Sequence, residues 1–239
     1  MKKILIISAL AAVAAIPPAA PALAEADVTL SFKKGQAIDL LFVQQNPESG
    51  ELLKAYFADV FPAAKAAGYT PMPGFAISQS PTRGNYHPST AIFAGWPSPE
   101  AREGAMEAIA ASVDDLQQRR LAIWPSFAMT VYTMAEDVTV AMDAKKTYVL
   151  TAYWGTKNGD LSTYAQSWKR RAAGAGGQVV LELEDGWSPF GYRYDPDYLA
   201  ITEWKDAASF KAFHAGLTFD TAAVAHVDEF VLDVKAKKK

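Results

Sequence analysis

The chain has 239 residues, 50% of them hydrophobic and 21% charged, with a formal net charge of −3. At roughly 100 to 200 residues per domain, this length allows one large domain or two small ones, and the apolar content excludes a disordered chain. The near-neutral charge balance argues against a nucleic-acid partner, and the absence of cysteine excludes disulfides and thiol nucleophiles.

Residues 1–24 have the pattern of a secretory signal peptide. A basic start is followed by an apolar stretch from Ile4 to Ile16, and Ala22-Leu23-Ala24 supplies the small residues that signal peptidase reads. The apolar stretch is too short to span roughly 30 Å of hydrocarbon. We therefore expect cleavage after Ala24 and a soluble periplasmic or secreted protein that has no membrane partner.

The first half of the remaining sequence predicts alternating strands and helices. Apolar residues recur at helical spacing between Leu52 and Phe61, and Gly68 provides the left-handed residue that commonly ends a helix. Ser98-Pro99 is a typical helix start. The predicted elements are a strand over Ile38–Gln44, a helix ending at Gly68, strands over Tyr69–Gln79 and Thr90–Trp96, a helix from Ser98 toward Arg120, and a strand over Ile123–Thr133.

The second half predicts the same order of elements. These are a strand over Tyr148–Trp154, a helix over Asp160–Ala173, strands over Gln178–Glu184 and Tyr198–Trp204, a helix from Asp206 to about Leu217, and a strand over Glu229–Val234. The order βαββαβ is therefore expected twice, which is the ferredoxin-like plan of the α+β class, with antiparallel sheets.

The two halves also share a sequence register. Trp96 and Trp204 are 108 residues apart, and other uncommon residues repeat with the same offset. They are Leu53 and Leu161, Tyr56 and Tyr164, Gly68 and Gly176, Ser80-Pro81 and Ser188-Pro189, Tyr86 and Tyr194, and Pro88 and Pro196. This predicts a tandem repeat. Residues 25–145 then form the first copy with an N-terminal extension and a linker, and residues 146–239 form the second copy with a basic tail.

Residues 146–234 resemble the dimeric α/β-barrel superfamily, in particular its short uncharacterised bacterial members. The resemblance rests on Gly186-Trp187, on the strand from Pro196 to Trp204 that ends in Glu-Trp, and on the following helix from Asp206 to Phe213. It implies that open sheet faces pair into one barrel, here within a single chain. Relatives include cofactor-independent monooxygenases, haem-binding enzymes, lactone isomerases and proteins without known activity.

The repeated loop Ser-Pro-x-x-x-x-Tyr-x-Pro is the most informative motif. Its aromatic residues and arginine suit a planar or anionic ligand. The alternative is that the prolines stiffen a connection and the tyrosine packs on its own sheet. The candidate ligand-binding residues, which include the corner tryptophan of the second copy, are Tyr86, Trp187, Tyr192, Arg193, Tyr194, Asp195 and Trp204.

Three residues are weak catalytic candidates: Glu182, Glu184 and His87. Strand alternation places both glutamates on one face, which we expect to be the face away from the helices. No metal site is expected, because the histidines lack metal-ligand spacing. No cofactor is predicted; haem, with His214 as an axial ligand, is an alternative implied by the resemblance.

Three functions stay open at this point. The first is binding of a small apolar or aromatic molecule between the two sheets. The second is a cofactor-independent monooxygenase or isomerase, and the third is a structural or partner-binding module with a filled barrel. A cavity of roughly 300 Å³ or more would support a ligand site. The protein is expected to be a monomeric pseudo-dimer or a homo-oligomer.

Overall fold

The computed structural model describes residues 26–236, so the predicted signal peptide lies outside the described residues. Within that range, no helix is both long enough and apolar enough to cross a bilayer. The strands are β1 Val28–Phe32, β2 Ala37–Gln44, β3 Thr70–Ala76, β4 Thr90–Trp96, β5 Ser126–Thr133, β6 Val138–Met142, β7 Thr147–Gly155, β8 Gln178–Glu184, β9 Tyr198–Trp204 and β10 Val224–Leu232. The helices are α1 Gly50–Ala66, α2 Pro99–Ser112, α3 Leu116–Ile123, α4 Leu161–Gly174 and α5 Ala207–Ala215.

Two four-stranded antiparallel sheets confirm the tandem ferredoxin-like fold. Sheet N has the order β3-β4-β2-β5, and sheet C has the equivalent order β8-β9-β7-β10. Every neighbouring pair is antiparallel. The chain is therefore an α+β protein in which each copy supplies one sheet, and the two sheets face each other as an intrachain barrel.

Side-chain alternation explains how the sheets pack. In β2, Ile38, Leu40 and Phe42 point into the barrel, while Ala37 and Val43 contact the helices. The inward residues of both sheets form one buried apolar cluster. Most of the space between the sheets is therefore filled by side chains, which leaves the ends of the barrel as places for a ligand.

The predicted register is visible in the backbone. Gly68 and Gly176 follow α1 and α4 with φ values of +84° and +86°, a conformation that a side chain disfavours. Trp96 and Trp204 end β4 and β9 and are both buried at the strand–helix corner. The offset of 108 residues thus relates positions with the same structural role.

Two features differ from the sequence prediction. The predicted second helix of the first copy breaks after Ser112, because Asp115 adopts a left-handed conformation with φ of +54° and starts a separate helix, α3. In addition, β1 and β6 pair into an antiparallel ribbon, although both were expected to be extension and linker. Its inward residues join the barrel core, and β1 contacts β3 while β6 contacts β8, so the ribbon covers one end of the barrel.

The loops with the Ser-Pro motif cross from each copy to the other. At the first seam, Asp233 N donates to Ala76 O at 2.9 Å, and Thr82 N donates to Glu229 O at 3.0 Å. At the second seam, Val131 and Trp187 exchange backbone hydrogen bonds of 2.8 and 3.0 Å. Each loop therefore pairs with the last strand of the opposite copy and ties the two sheets together.

Candidate functional site

A cleft of about 530 Å³ opens at the end of the barrel opposite the ribbon. The start of β5, the end of β7 and the start of β10 form its floor, and the two crossing loops form its rim. Its lining residues are Asn85, Tyr86, Ser126, Phe127, Ala128, Trp154, Tyr192, Arg193, Tyr194, His226 and Asp228. The cleft has the size and the mixed aromatic and polar lining of a small-molecule site.

A histidine–aspartate pair lies in this cleft. His226 Nε2 is 3.0 Å from Asp228 Oδ1, and the Asp228 side chain is almost fully buried whereas His226 is 45% exposed. The two residues are two positions apart in β10 and therefore point to the same face of the sheet. The Trp154 ring packs against the imidazole with a centroid distance of 5.0 Å.

The repeated tyrosines of the two loops meet inside the cleft and form part of its wall. The rings of Tyr86 and Tyr194 are 5.4 Å apart, and both pack on Phe42. Tyr86 Oη donates to Phe42 O at 3.1 Å and accepts from Ser126 Oγ at 3.2 Å. The tyrosines are fixed by their surroundings, as expected for the walls of a preformed site.

Gly84 allows the first loop to approach Asp228. Its φ is +84°, and a Cβ atom at this position would lie only 2.8 Å from Val227 O and would overlap the Asp228 carboxylate. Only glycine fits this contact without a shift of the backbone. The loop thereby covers the carboxylate and removes it from water.

Burial changes the acidity of the groups around the cleft. It raises the pKa of Asp228, although His226 and Tyr194 oppose the shift. It also raises the pKa of Tyr86 and, more strongly, the pKa of Tyr194. Both tyrosines are therefore neutral near pH 7, and the electrostatics of the site are set by Asp228, His226 and the exposed Arg193.

The raised pKa of Asp228 predicts a pH-dependent stability. The folded protein keeps this proton to a higher pH than the unfolded chain, whose aspartates titrate near ~3.9. Stability from this group is therefore lost as the pH rises through the raised pKa. We expect Asp228→Asn to gain stability relative to the wild type between about pH 4 and pH 7 in urea unfolding curves. A difference that stays constant over this range would contradict the assignment.

The structure brings four of the predicted ligand-binding residues together and places three elsewhere. Tyr86, Tyr192, Arg193 and Tyr194 line the cleft. Asp195 is exposed outside the lining. Trp187 lies in another groove, beside α2 and Phe190. Trp204 is buried against Phe210 and Phe213, and its Nε1 donates to Thr202 Oγ1 at 2.9 Å.

The catalytic candidates Glu182, Glu184 and His87 lie outside the cleft. The expected orientation of the glutamates is wrong: Leu181 and Leu183 point into the barrel, so the glutamates point toward the helix side. Glu182 Oε1 pairs there with Lys169 Nζ of α4 at 2.8 Å. The physical reason is that the more apolar face of this edge strand packs between the sheets.

The residues around His214 do not fit a haem. His214 Nδ1 is 2.7 Å from Glu229 Oε1, an arrangement that orients the imidazole. The space between sheet C and its helices is occupied by a buried aromatic cluster that includes Tyr153, Trp168 and Tyr198. A planar macrocycle would have to displace this cluster, and we therefore assign no step to haem.

His226, Asp228 and Trp154 line the cleft but were not among the site residues predicted from the sequence. The strand β10 begins at Val224, whereas a strand from Glu229 was predicted. With the longer strand, His226 and Asp228 alternate with Phe230 and Leu232 on the inward face, and this pattern was the available signal.

The chain resembles proteins of known structure in its fold. No protein-family model matches the sequence, and no curated protein matches it. The crystal structure of an anthrone oxidase-like protein matches with a TM-score of 0.51 and 16% identity, covering 85% of this chain and 94% of that chain. A mutant chlorite dismutase from Candidatus Nitrospira defluvii matches with a TM-score of 0.46 and 7% identity, covering 84% and 92%. At 16% identity, the match to the anthrone oxidase-like protein shows a shared fold only. Together with the two equivalent sheets, it shows that the chain has the dimeric α/β-barrel fold in tandem form.

Proposed function

We propose that the protein binds a small planar aromatic compound with an acidic hydroxyl group in the cleft at the barrel end. The observation that supports this is the combination of aromatic walls with the His226–Asp228 pair in one cleft of about 530 Å³. We assign the ligand to the mouth of the barrel and not to the expected position between the two sheets, because that space is largely filled by side chains.

The aromatic walls favour a flat ligand. Trp154 packs edge-on against Tyr194 with a centroid distance of 5.1 Å and an interplanar angle of 90°, and Phe127 and Tyr192 form a second ring pair at 4.8 Å. Aromatic pairs contribute roughly 0.5–1.5 kcal/mol beyond the burial of their area. A ligand ring that adds one such contact at each wall gains affinity that an aliphatic compound of the same size lacks.

The histidine–aspartate pair favours a hydroxyl group on the ligand. An ionised carboxylate only accepts hydrogen bonds, so His226 Nε2 carries the proton that is shared with Asp228. In the neutral ring, Nδ1 is then a hydrogen-bond acceptor. A ligand hydroxyl group that donates to Nδ1 would provide the second hydrogen bond of the imidazole ring. If the proton were transferred, Asp228 would stabilise the positive charge of the resulting imidazolium.

Proton abstraction is the second candidate function, and the same pair favours it. The O–H bond of the ligand breaks, its proton moves to His226 Nδ1, and the electron pair stays on the oxygen as a phenolate. A cofactor-independent oxygenation or an isomerisation would begin with this step. Binding and proton transfer can be separated by experiment, because the phenolate has its own absorption band.

We expect 2-naphthol to quench the tryptophan fluorescence of the protein with saturation. Trp154→Leu should weaken binding about 10-fold, in line with the loss of one aromatic contact of about 1.4 kcal/mol. His226→Gln should retain binding within a few-fold but abolish any naphtholate absorption seen with the wild type. If 2-naphthol does not bind saturably, the proposed function is wrong.

Trp187→Leu is the matched control. The Trp187 side chain lies beside Phe190 and α2, outside the cleft, so this variant should bind 2-naphthol as the wild type does. If Trp187→Leu and Trp154→Leu lost the same affinity for 2-naphthol, the ligand would bind outside the cleft. Decahydro-2-naphthol, the saturated alcohol with the same carbon skeleton, should bind more weakly than 2-naphthol if the aromatic walls select the ligand.

A further inference from the structure

β3 and β8 are equivalent edge strands in the repeat, but only the edge of β3 is protected against pairing with another strand. β3 contains Pro71 and Pro73, which lack backbone N–H donors, and its end is covered at the first seam by the hydrogen bond from Asp233 N to Ala76 O. β8 has no proline, and its sequence is Gln-Val-Val-Leu-Glu-Leu-Glu. Only one of the two edges is therefore blocked against pairing.

The free edge of β8 borders a groove of about 610 Å³ at the second seam. Residues 179–185 form one side of the groove, and residues 133–136 with Val138 form the other. By strand pairing, Thr133 corresponds to Asp233 and Glu184 corresponds to Ala76. Thr133 and Glu184 line opposite sides of the groove without a backbone hydrogen bond between them in the described range. The seam thus stays open at the point where its counterpart is closed.

The main chain of β8 has hydrogen-bonding capacity on this side. Its residues pair with β9, and within residues 26–236 no backbone hydrogen bond from outside sheet C reaches residues 178–184. An antiparallel strand leaves alternate N–H and C=O groups pointing to its free edge. At about 3.3 Å per residue, the seven residues of β8 span roughly 20 Å along one side of the groove, and residues 133–136 with the start of β6 form the other side.

The charge of the groove selects the kind of chain. Glu136, Glu182, Glu184 and Asp185 line it, and of these only Glu182 forms an ion pair within the part of the chain that the structure describes. Pairing of β8 with β8 of a second copy would bring glutamates close together, which is unfavourable. A strand with lysine or arginine at alternate positions would place opposite charges across the new pair.

We propose that the second seam is a docking site for an extended, basic segment of a partner protein, which adds to sheet C as a strand beside β8. Backbone hydrogen bonds to the free edge supply the affinity, and the carboxylates at the groove select basic side chains. This surface is separate from the barrel-mouth cleft, so the proposal does not depend on the proposed ligand.

The test uses the full chain and the synthetic peptide acetyl-(Lys-Val)₃-amide. We expect saturable binding by calorimetry and slower hydrogen exchange of backbone amides in residues 178–185. N-methylation of alternate residues removes the backbone N–H donors from one edge of the peptide. The N-methylated peptide should therefore bind at least 10-fold more weakly. An acetyl-(Glu-Val)₃-amide peptide should show no binding.

Charge-reversal variants locate the site. The double variant Glu136→Lys with Glu184→Lys should bind the basic peptide at least 10-fold more weakly than the wild type. The matched control, Glu103→Lys with Glu107→Lys, changes the exposed face of α2 and should bind the peptide as the wild type does. Equal binding of the N-methylated peptide, or protection confined to amides outside β8, would overturn the proposal. It would also be overturned by protein that dimerises in sedimentation equilibrium with β8 amides protected in the absence of peptide.

Discussion

Replacing Arg102 with methionine should lower the free energy of unfolding by about 3–5 kcal/mol, as expected when one member of a buried ion pair is removed. Arg102 of α2 donates from Nε to Asp39 Oδ1 at 2.6 Å, and both side chains are at most 5% exposed. Trp96 Nε1 also donates to Asp39, at 2.9 Å. Without Arg102, one indole N–H would be left to stabilise a buried carboxylate whose pKa burial already raises.

The double variant Asp39→Leu with Arg102→Met provides the control. It removes both charges from the layer between sheet N and its helices, and we expect it to recover most of the lost stability. Urea unfolding monitored by circular dichroism measures both values. A loss below about 1 kcal/mol for Arg102→Met would mean that water reaches Asp39 and that the pair is not buried in solution.

Glu229→Ala should have a comparable effect, a loss of about 3–5 kcal/mol, because it leaves several polar groups unpaired. Glu229 is 1% exposed. It accepts from Thr82 Oγ1 at 2.7 Å, lies 2.7 Å from His214 Nδ1, and faces Arg83 Nε at 4.0 Å. Thr82 and Arg83 come from the first copy and His214 from the second, so this substitution should also loosen the contact between the copies.

Hydrogen exchange distinguishes a local from a global effect of Glu229→Ala. The backbone bonds from Thr82 N to Glu229 O and from Glu229 N to Arg83 O should open more often, so these two amides should exchange faster than those of the central strand β2. Thr151→Val serves as the graded control. It removes a single hydrogen bond of 3.3 Å to the same carboxylate and should cost only about 1 kcal/mol.

The sequence predicted the elements well because their signals are local. Gln178–Glu184 and Tyr198–Trp204 have the predicted limits, and Gly68 and Gly176 follow helices as expected. Hydrophobic periodicity and the positions of glycines depend only on neighbouring residues. The shared register follows from comparing one half of the sequence with the other. The fold class followed from their order.

Contacts between distant segments could not be read in the same way. The ribbon joins Phe32 to Val138, more than 100 residues apart, and short apolar runs do not specify such a partner. The orientation of β8 required a choice between two faces, and alternation alone does not decide which face is inside. The cleft was predicted in part, because its tyrosines belong to the repeated motif, whereas His226 and Asp228 occur in one copy only.

The ribbon and the first seam also determine when the barrel can assemble. The ribbon needs β6, and Phe42 of the first sheet packs against Phe230 in β10, which is synthesised after the other strands of the described range. Until β10 is present, Phe42 lacks its contact with Phe230, and the backbone hydrogen bonds of the first seam, which involve Glu229 and Asp233, cannot form. Barrel closure is therefore a late, long-range event that joins segments of both copies, and a newly made chain that still lacks β10 exposes apolar surface that favours aggregation.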